Sequence, residues 1–461
     1  MTSVPSSSVS LATLAAPVTH KRQLVAWLES GAKPKPRWRV GTEWEMFLFD
    51  RETLAPVPYD GERGIAVLLH ELQAFRWKPL EEKGKLLALQ RGDASISLEP
   101  AGQFELSGAP MANLHQTAEE LGYHIDQLGS VGRVLDFGAL GIGFQPKWKR
   151  DQMPWMPKDR YAIMREYMPQ VGTLGLDMMT RTATVQANLD FSDEADMVRK
   201  MRVAVALQPV VGALFANSPF RDGNLSGEQS FRNRVWQHTD AKRTAYPEFV
   251  FEESFGFERY VDWALSVPLY FIKRRDTYIN ALGHPFSELM EGRLEAAPGE
   301  VATLADWDLH LTTLFPCVRL KRYIEMRGAD MGAYDMALAL PALWVGLLYD
   351  EVALDEATQL IGGWTAEDRE HLYKNAPRLG FQTEIGGLSL LEVARRMVAI
   401  AERGLERRNI AGAFFASETS YLTPLHIILS FGLTQAEELK RLYLDDWNTE
   451  IDNIFNVCAL T

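Results

Sequence analysis

Four stretches of this chain alternate polar with apolar residues, and acids recur on the polar side of each. The first is Val40-Gly41-Thr42-Glu43-Trp44-Glu45-Met46-Phe47-Leu48-Phe49. Successive side chains of a β-strand point to opposite faces, so Glu43 and Glu45 share one side, about 6.8 Å apart. Trp44, Met46 and Leu48 take the other side, against a helix layer. The second stretch is Ile96-Ser97-Leu98-Glu99-Pro100 with Phe104-Glu105-Leu106. The third is Thr182-Ala183-Thr184-Val185-Gln186-Ala187-Asn188-Leu189-Asp190-Phe191, which puts Gln186 in the middle of a polar face. The fourth is Arg319-Leu320-Lys321-Arg322-Tyr323-Ile324-Glu325-Met326-Arg327. Read as one strand, it shows Arg319, Lys321, Tyr323, Glu325 and Arg327 on a single side.

Clean alternation marks antiparallel sheets with two unlike faces, whereas buried parallel strands read as continuous apolar runs. The predicted class is therefore α+β: a mostly antiparallel, curved sheet with a carboxylate-lined face, covered by helices. A solvated sheet face accounts for any one such strand, and exposed Lys and Glu also blunt sheet edges. It does not explain acids set among Trp, Met, Phe and Leu, because buried charge needs a cation or a donor. Ions of two-metal sites stand about 3.5 to 4 Å apart, so paired strand carboxylates can each reach a different one. Hard magnesium prefers such oxygens. A strand like 319–327, with bases interleaved around an acid, suits a triphosphate and a metal together.

With 461 residues, 46% of them hydrophobic, the chain can bury a large core. No repeat or linker divides it, which predicts a flexible N-terminus at 1–17 and a single catalytic domain at 18–461. Helical spacing is read at 23–30, 111–135, 197–215, 388–407 and 435–455, so the C-terminal part is mostly helical. A formal net charge of -13 argues against a nucleic-acid partner. The apolar runs at 336–349 and 204–216 are short and interrupted by Pro341 or by Gln208 and Pro209, which predicts no membrane span. Residues 1–17 carry no Lys or Arg, unlike a secretory signal or an Arg-rich transit peptide, so the expected location is cytoplasmic. Two cysteines, Cys317 and Cys458, are too few for a disulfide scaffold. There is no Walker A sequence, nucleophile elbow or zinc-ligand spacing, and Gly138-Ala139-Leu140-Gly141-Ile142-Gly143 reads as a close-packed turn.

Taken together with Gly141-Ile142-Gly143-Phe144-Gln145-Pro146-Lys147-Trp148, Gly175-Leu176-Asp177-Met178-Met179, Gln103-Phe104-Glu105-Leu106-Ser107-Gly108-Ala109-Pro110, Ala216-Asn217-Ser218-Pro219-Phe220 and Tyr323-Ile324-Glu325-Met326-Arg327-Gly328-Ala329-Asp330, these strands resemble the plant and proteobacterial type of glutamate-cysteine ligase. That resemblance implies a carboxylate-amine ligase fold like that of glutamine synthetase. It implies ATP-dependent joining of the glutamate γ-carboxyl to the cysteine amine, the first step of glutathione synthesis, through a γ-glutamyl phosphate. Its implied metal ligands are Glu43, Glu45, Glu99, Glu105 and Glu325, with Gln186 where distant relatives have histidine, holding two or three magnesium ions with ATP as co-substrate. It implies Arg232 on a substrate carboxylate, Arg327 and Lys321 on the transferred phosphoryl group, and Arg181, Arg243 and Tyr270 lining the pocket.

Ala118, Ala281 and Ala296 stand where plant members carry regulatory cysteines, so no disulfide switch is expected. Small-molecule substrates are the expected partners, on a monomer or homodimer. A γ-glutamyl ligase with another amine acceptor, and a non-catalytic protein that binds a metal or an amino acid, stay open as alternatives.

Overall fold

Nine strands form one open sheet in the computed structural model, which describes residues 10–413 and 415–461. They are β1 (Val40–Asp50), β2 (Lys78–Glu82), β3 (Lys85–Arg91), β4 (Ala94–Leu98), β5 (Phe104–Ser107), β6 (Phe137–Leu140), β7 (Thr184–Leu189), β8 (Val318–Leu320) and β9 (Ile324–Asp330). Their order is β8-β9-β7-β1-β5-β4-β3-β2, with β6 paired to the far end of β1. Every pairing is antiparallel, as the alternation requires. Strand β1 changes partners along its length, meeting β7 and β5 through Val40 to Met46 and β6 from Phe47 onward. Alternation gives way to a continuous apolar run at that point, and Phe47, Leu48 and Phe49 are all buried.

The stretch 319–327 departs from the single strand read in it. It is the β8–β9 hairpin, with Arg319 opposite Glu325 and the turn closed by the Lys321 N–H donating to the Tyr323 carbonyl at 2.8 Å. Residues opposed across an antiparallel pair face the same way, so a reversal at Arg322 leaves the polar positions on one side. The sequence pattern cannot tell the two arrangements apart. Strand β4 likewise stops at Leu98, leaving Glu99 in the turn to β5. Gly102, with φ +83°, permits that turn.

Helices α1 (Leu114–Leu135), α2 (Asp159–Val171), α3 (Glu194–Leu214), α4 (Phe231–Gln237), α5 (Tyr334–Leu348), α6 (Ala366–Leu379) and α7 (Leu390–Arg408) supply most of the remaining core. Helices α1, α3 and α5 pack against the sheet. Four of the seven helices named here, α2, α3, α5 and α6, contain a proline, at 169, 209, 341 and 377. A helical proline has no N–H, so the carbonyl four residues earlier loses its partner. In α3, α5 and α6 a side chain takes it up: Tyr246 Oη donates to Val205 O at 3.0 Å, Trp44 Nε1 to Ala337 O at 3.3 Å, and Gln237 Nε2 to Tyr373 O.

The helix expected at 435–455 holds only over Gln435–Arg441. It then loosens into a wider turn at Leu442–Asp446, and left-handed Asn448 and Thr449 end it. Within the stretch expected to be flexible, residues 10–17 instead carry a turn of helix at Leu11–Leu14 and a bridge from Pro17 to Thr303. Among the described residues no single helix is long and apolar enough to cross a membrane.

Candidate active site

Strand register assembles the polar face. One row runs Ser97, Glu105, Glu45 across β4, β5 and β1, the next runs Ser107, Glu43, Gln186 across β5, β1 and β7, and a third runs Asn188, Glu325, Arg319 across β7, β9 and β8. Glu43, Glu45, Glu105, Gln186 and Glu325 are all buried. Glu105 accepts from Ser107 Oγ at 2.6 Å, Glu45 from the Thr184 N–H at 3.1 Å, and Glu43 Oε1 from Asn188 Nδ2 at 3.1 Å. Glu43 Oε2 is buried without a partner.

Electrostatics divide these acids. Burial, with Glu325 and Glu105 nearby, pushes the Glu43 carboxyl up to about 8. Burial, with Glu99 and Glu105, raises Glu45 well above the usual carboxylate range. Glu325 goes the other way: against its burial, Arg319, Arg327 and Lys321 hold it well below that range. Arg319 grips both Glu325 oxygens at 2.5 and 2.8 Å, and Arg327 Nη1 bridges Glu325 at 3.1 Å and Gln186 Oε1 at 2.7 Å.

A cavity of about 690 Å³ opens beside this face, with Glu45, Glu99, Arg160, Thr184, Arg232 and Arg327 on its walls. A second, of about 600 Å³, lies across Arg232, Trp236, Phe315 and Arg327, which border both. Arg232, on α4, donates through Nη2 to the Arg327 carbonyl at 2.9 Å. Its Nε and Nη1 are buried without partners.

The donor set suits a hard cation: the oxygens of Glu43, Glu45 and Glu105 crowd together, one of them unpartnered, and their mutual repulsion is what a divalent ion relieves. As the side chains stand, no group of three or more acids, histidines or cysteines among the described residues closes into a metal cage. Glu325 and Gln186 are engaged by the arginines instead.

Four of the expected pocket residues lie elsewhere. Arg181 is spent on Asp177 and on Asp222 at 2.5 Å, over the ring of Phe144. Arg243 pairs with Asp240 at 3.1 Å and stacks 3.6 Å from the Tyr270 ring centroid, and both stand behind the cavity wall formed by Phe271 and Thr313. Lys321 sits in the β8–β9 turn over Tyr323, off the cavity wall. Each was expected from the family resemblance, but a resemblance along the chain does not fix which side of the wall a side chain occupies.

A family model described as Glutamate-cysteine ligase family 2 (GCS2) matches residues 39–456. The chain belongs to that family. It is 49% identical over 435 residues to Glutamate--cysteine ligase B, chloroplastic, of Oryza sativa subsp. japonica, covering 94% of this chain and 86% of that protein. It is 49% identical over 445 residues to the chloroplastic glutamate--cysteine ligase of Nicotiana tabacum, covering 96% and 84%. The crystal structure of the Francisella tularensis glutamate--cysteine ligase in complex with AMP shares the fold, with a TM-score of 0.53 at 11% identity over 91% of this chain and 87% of that one. An open antiparallel sheet under helices is thus the carboxylate-amine ligase fold that the sequence led us to expect. The expected cytoplasmic location is corrected by the same comparisons, because the plant relatives are named as chloroplastic proteins.

Sequence reasoning about this ligase-family chain passed over Arg160 and Tyr161 at the start of α2, which share the cavity wall with Glu99. Lys158 stands just before them, its ammonium donating to Leu98 O at 2.7 Å and pushed down to about 7 by burial and Arg160. A Lys-x-Arg-Tyr run at a helix start carries no signal that separates it from an ordinary solvated helix end.

Proposed function

We propose that this chain catalyses the ATP-dependent ligation of the L-glutamate γ-carboxyl to the amine of L-cysteine, the first step of glutathione biosynthesis. The observation that carries this reading is the set of buried acids Glu43, Glu45 and Glu105 on one sheet face, beside a cavity lined by Glu45, Glu99, Arg232 and Arg327. Membership in glutamate-cysteine ligase family 2 over residues 39–456 supports it. Residues 18–461 act as one catalytic unit in this reading.

A carboxylate approaching a triphosphate meets like-charge repulsion, so catalysis consists chiefly of positioning and electrostatic screening. Two or three magnesium ions supply that screening when bound. Glu43, Glu45, Glu99 and Glu105 would hold them, together with Gln186 and Glu325, which Arg327 contacts in this structure. Arg232 turns its partnerless Nε and Nη1 toward a substrate carboxylate, a task for a planar donor. Arg327, on the border of both cavities, meets the transferring phosphoryl group. A γ-carboxylate oxygen bonds to the γ-phosphorus as ADP departs. The cysteine amine then attacks the carbonyl carbon of the γ-glutamyl phosphate, loses a proton and expels phosphate.

Incubation of the purified chain with magnesium, ATP, glutamate and cysteine tests this. It should yield γ-glutamylcysteine and phosphate in equal amounts, with neither formed when any one component is left out. Phosphate release that needs glutamate but gives a product only with a different amine would reassign the acceptor. No nucleotide turnover under any combination would end the reading.

A further inference from the structure

We propose that Asp330 is a positioning residue for Arg232, acting through two serine hydroxyls. This inference rests on the proposed function, and takes the substrate carboxylate that Arg232 meets there to be that of glutamate.

Asp330 ends β9, the strand that carries Glu325 and Arg327, and it is buried. Its Oδ2 accepts from Ser218 Oγ at 2.7 Å and from the Asn217 N–H at 2.9 Å, and its Oδ1 accepts from Ser230 Oγ at 2.9 Å. Each serine passes the constraint on. Ser218 Oγ accepts from the Arg232 N–H at 3.1 Å, and Ser230 Oγ caps α4 by accepting from the Asn233 N–H at 3.2 Å. A hydroxyl has one proton and two lone pairs. Because the carboxylate only accepts, both protons must point at Asp330, which leaves a lone pair on each serine for the helix that bears Arg232. The other end of Arg232 is tied to the same strand by its bond to Arg327 O. Strand β9 thus fixes Arg232 at both ends, its main chain through the Asp330 carboxylate and its guanidinium through the Arg327 carbonyl.

The surroundings leave this carboxylate no freedom. A Cβ on Gly143 would stand 2.4 Å from the Asp330 Cγ, so only glycine fits against it. The Gly143 N–H donates to Asn217 O at 3.0 Å, and Asn217 Nδ2 donates to Gly141 O at 3.2 Å and Met331 O at 3.0 Å, which locks the loop carrying Ser218. An asparagine at 330 has one acceptor oxygen in place of two, so at least one serine proton loses its charged acceptor and that hydroxyl must rotate, which loosens its hold on the helix.

Steady-state kinetics of Asp330→Asn, with each substrate varied in turn, test the proposal. Hydrogen bonds to a charged group are worth about 1.5 to 3 kcal/mol, so the KM for glutamate should rise about 10-fold or more while those for ATP and cysteine change about 2-fold or less. Ser218→Ala should give a smaller rise in the same KM and covers the case in which Asp330→Asn fails to fold. On an Arg232→Ala background, Asp330→Asn should leave the glutamate KM unchanged. A folded Asp330→Asn or Ser218→Ala with the wild-type glutamate KM, an equal rise in all three constants, or an undiminished effect without Arg232 would overturn it. Activity of the wild-type chain itself decides the functional reading, so the two failures are told apart.

Discussion

Glu43 and Glu325 share one face of one sheet, yet their surroundings drive them in opposite directions, and substitution should expose the difference. Glu43 has a folded value of about 8 against an ordinary 4.5, so the fold holds that proton more tightly than the unfolded chain does. The stability this gives is whole below pH 4.5 and is lost as pH rises through 8. Glu43→Gln keeps an acceptor for Asn188 and removes the titration. In metal-free buffer it should raise the melting temperature by a few degrees at pH 8, flatten the loss between pH 6 and 9, and abolish ligation. Glu325→Gln should instead cost about 3 to 5 kcal/mol, because it strands the buried Arg319 charge. Thermal melts of both variants across that pH range decide the point, and a destabilised Glu43→Gln would contradict it. Candidate acids were legible in the sequence because strand alternation is a local rule. Their arginine partners were not, since the Arg319–Glu325 pair exists only because the chain reverses at Arg322.

Proline placement shows how elements here depend on one another. A proline inside a helix costs about 3 kcal/mol in isolation, yet α3, α5 and α6 each contain one. Tertiary side chains offset part of that cost, and Trp44 does so while also forming the apolar back of the strand that carries Glu43 and Glu45. Trp44→Phe should therefore destabilise by about 1 to 3 kcal/mol through the stranded Ala337 carbonyl. In a Pro341→Ala background, where a new N–H reaches that carbonyl, the same substitution should cost less. Denaturant melts of the four-member cycle measure the coupling, and equal costs in both backgrounds would contradict it. The alternation that predicts β1 is written in neighbouring residues, and so the strand, its faces and its antiparallel pairing were readable in advance. The capture of a carbonyl nearly three hundred positions away was not, because no local pattern encodes which side chain meets a proline's orphan.

At the scale of the molecule, the cavity draws Glu45 from β1, Arg160 from α2, Arg232 from α4 and Arg327 from β9. Resemblance to the family led to Arg232 and Arg327 as candidates, while Arg160 on the cavity wall and the burial of Arg181, Arg243 and Tyr270 away from it emerge only from the packing. The account stands on this assembled face activating a γ-carboxylate by phosphorylation. Heavy-oxygen label in the glutamate γ-carboxyl follows that step atom by atom. With magnesium, ATP and cysteine present, the wild-type chain should deliver one labelled oxygen to each phosphate released, and Glu45→Gln should deliver none. Unlabelled phosphate formed alongside γ-glutamylcysteine would contradict the account.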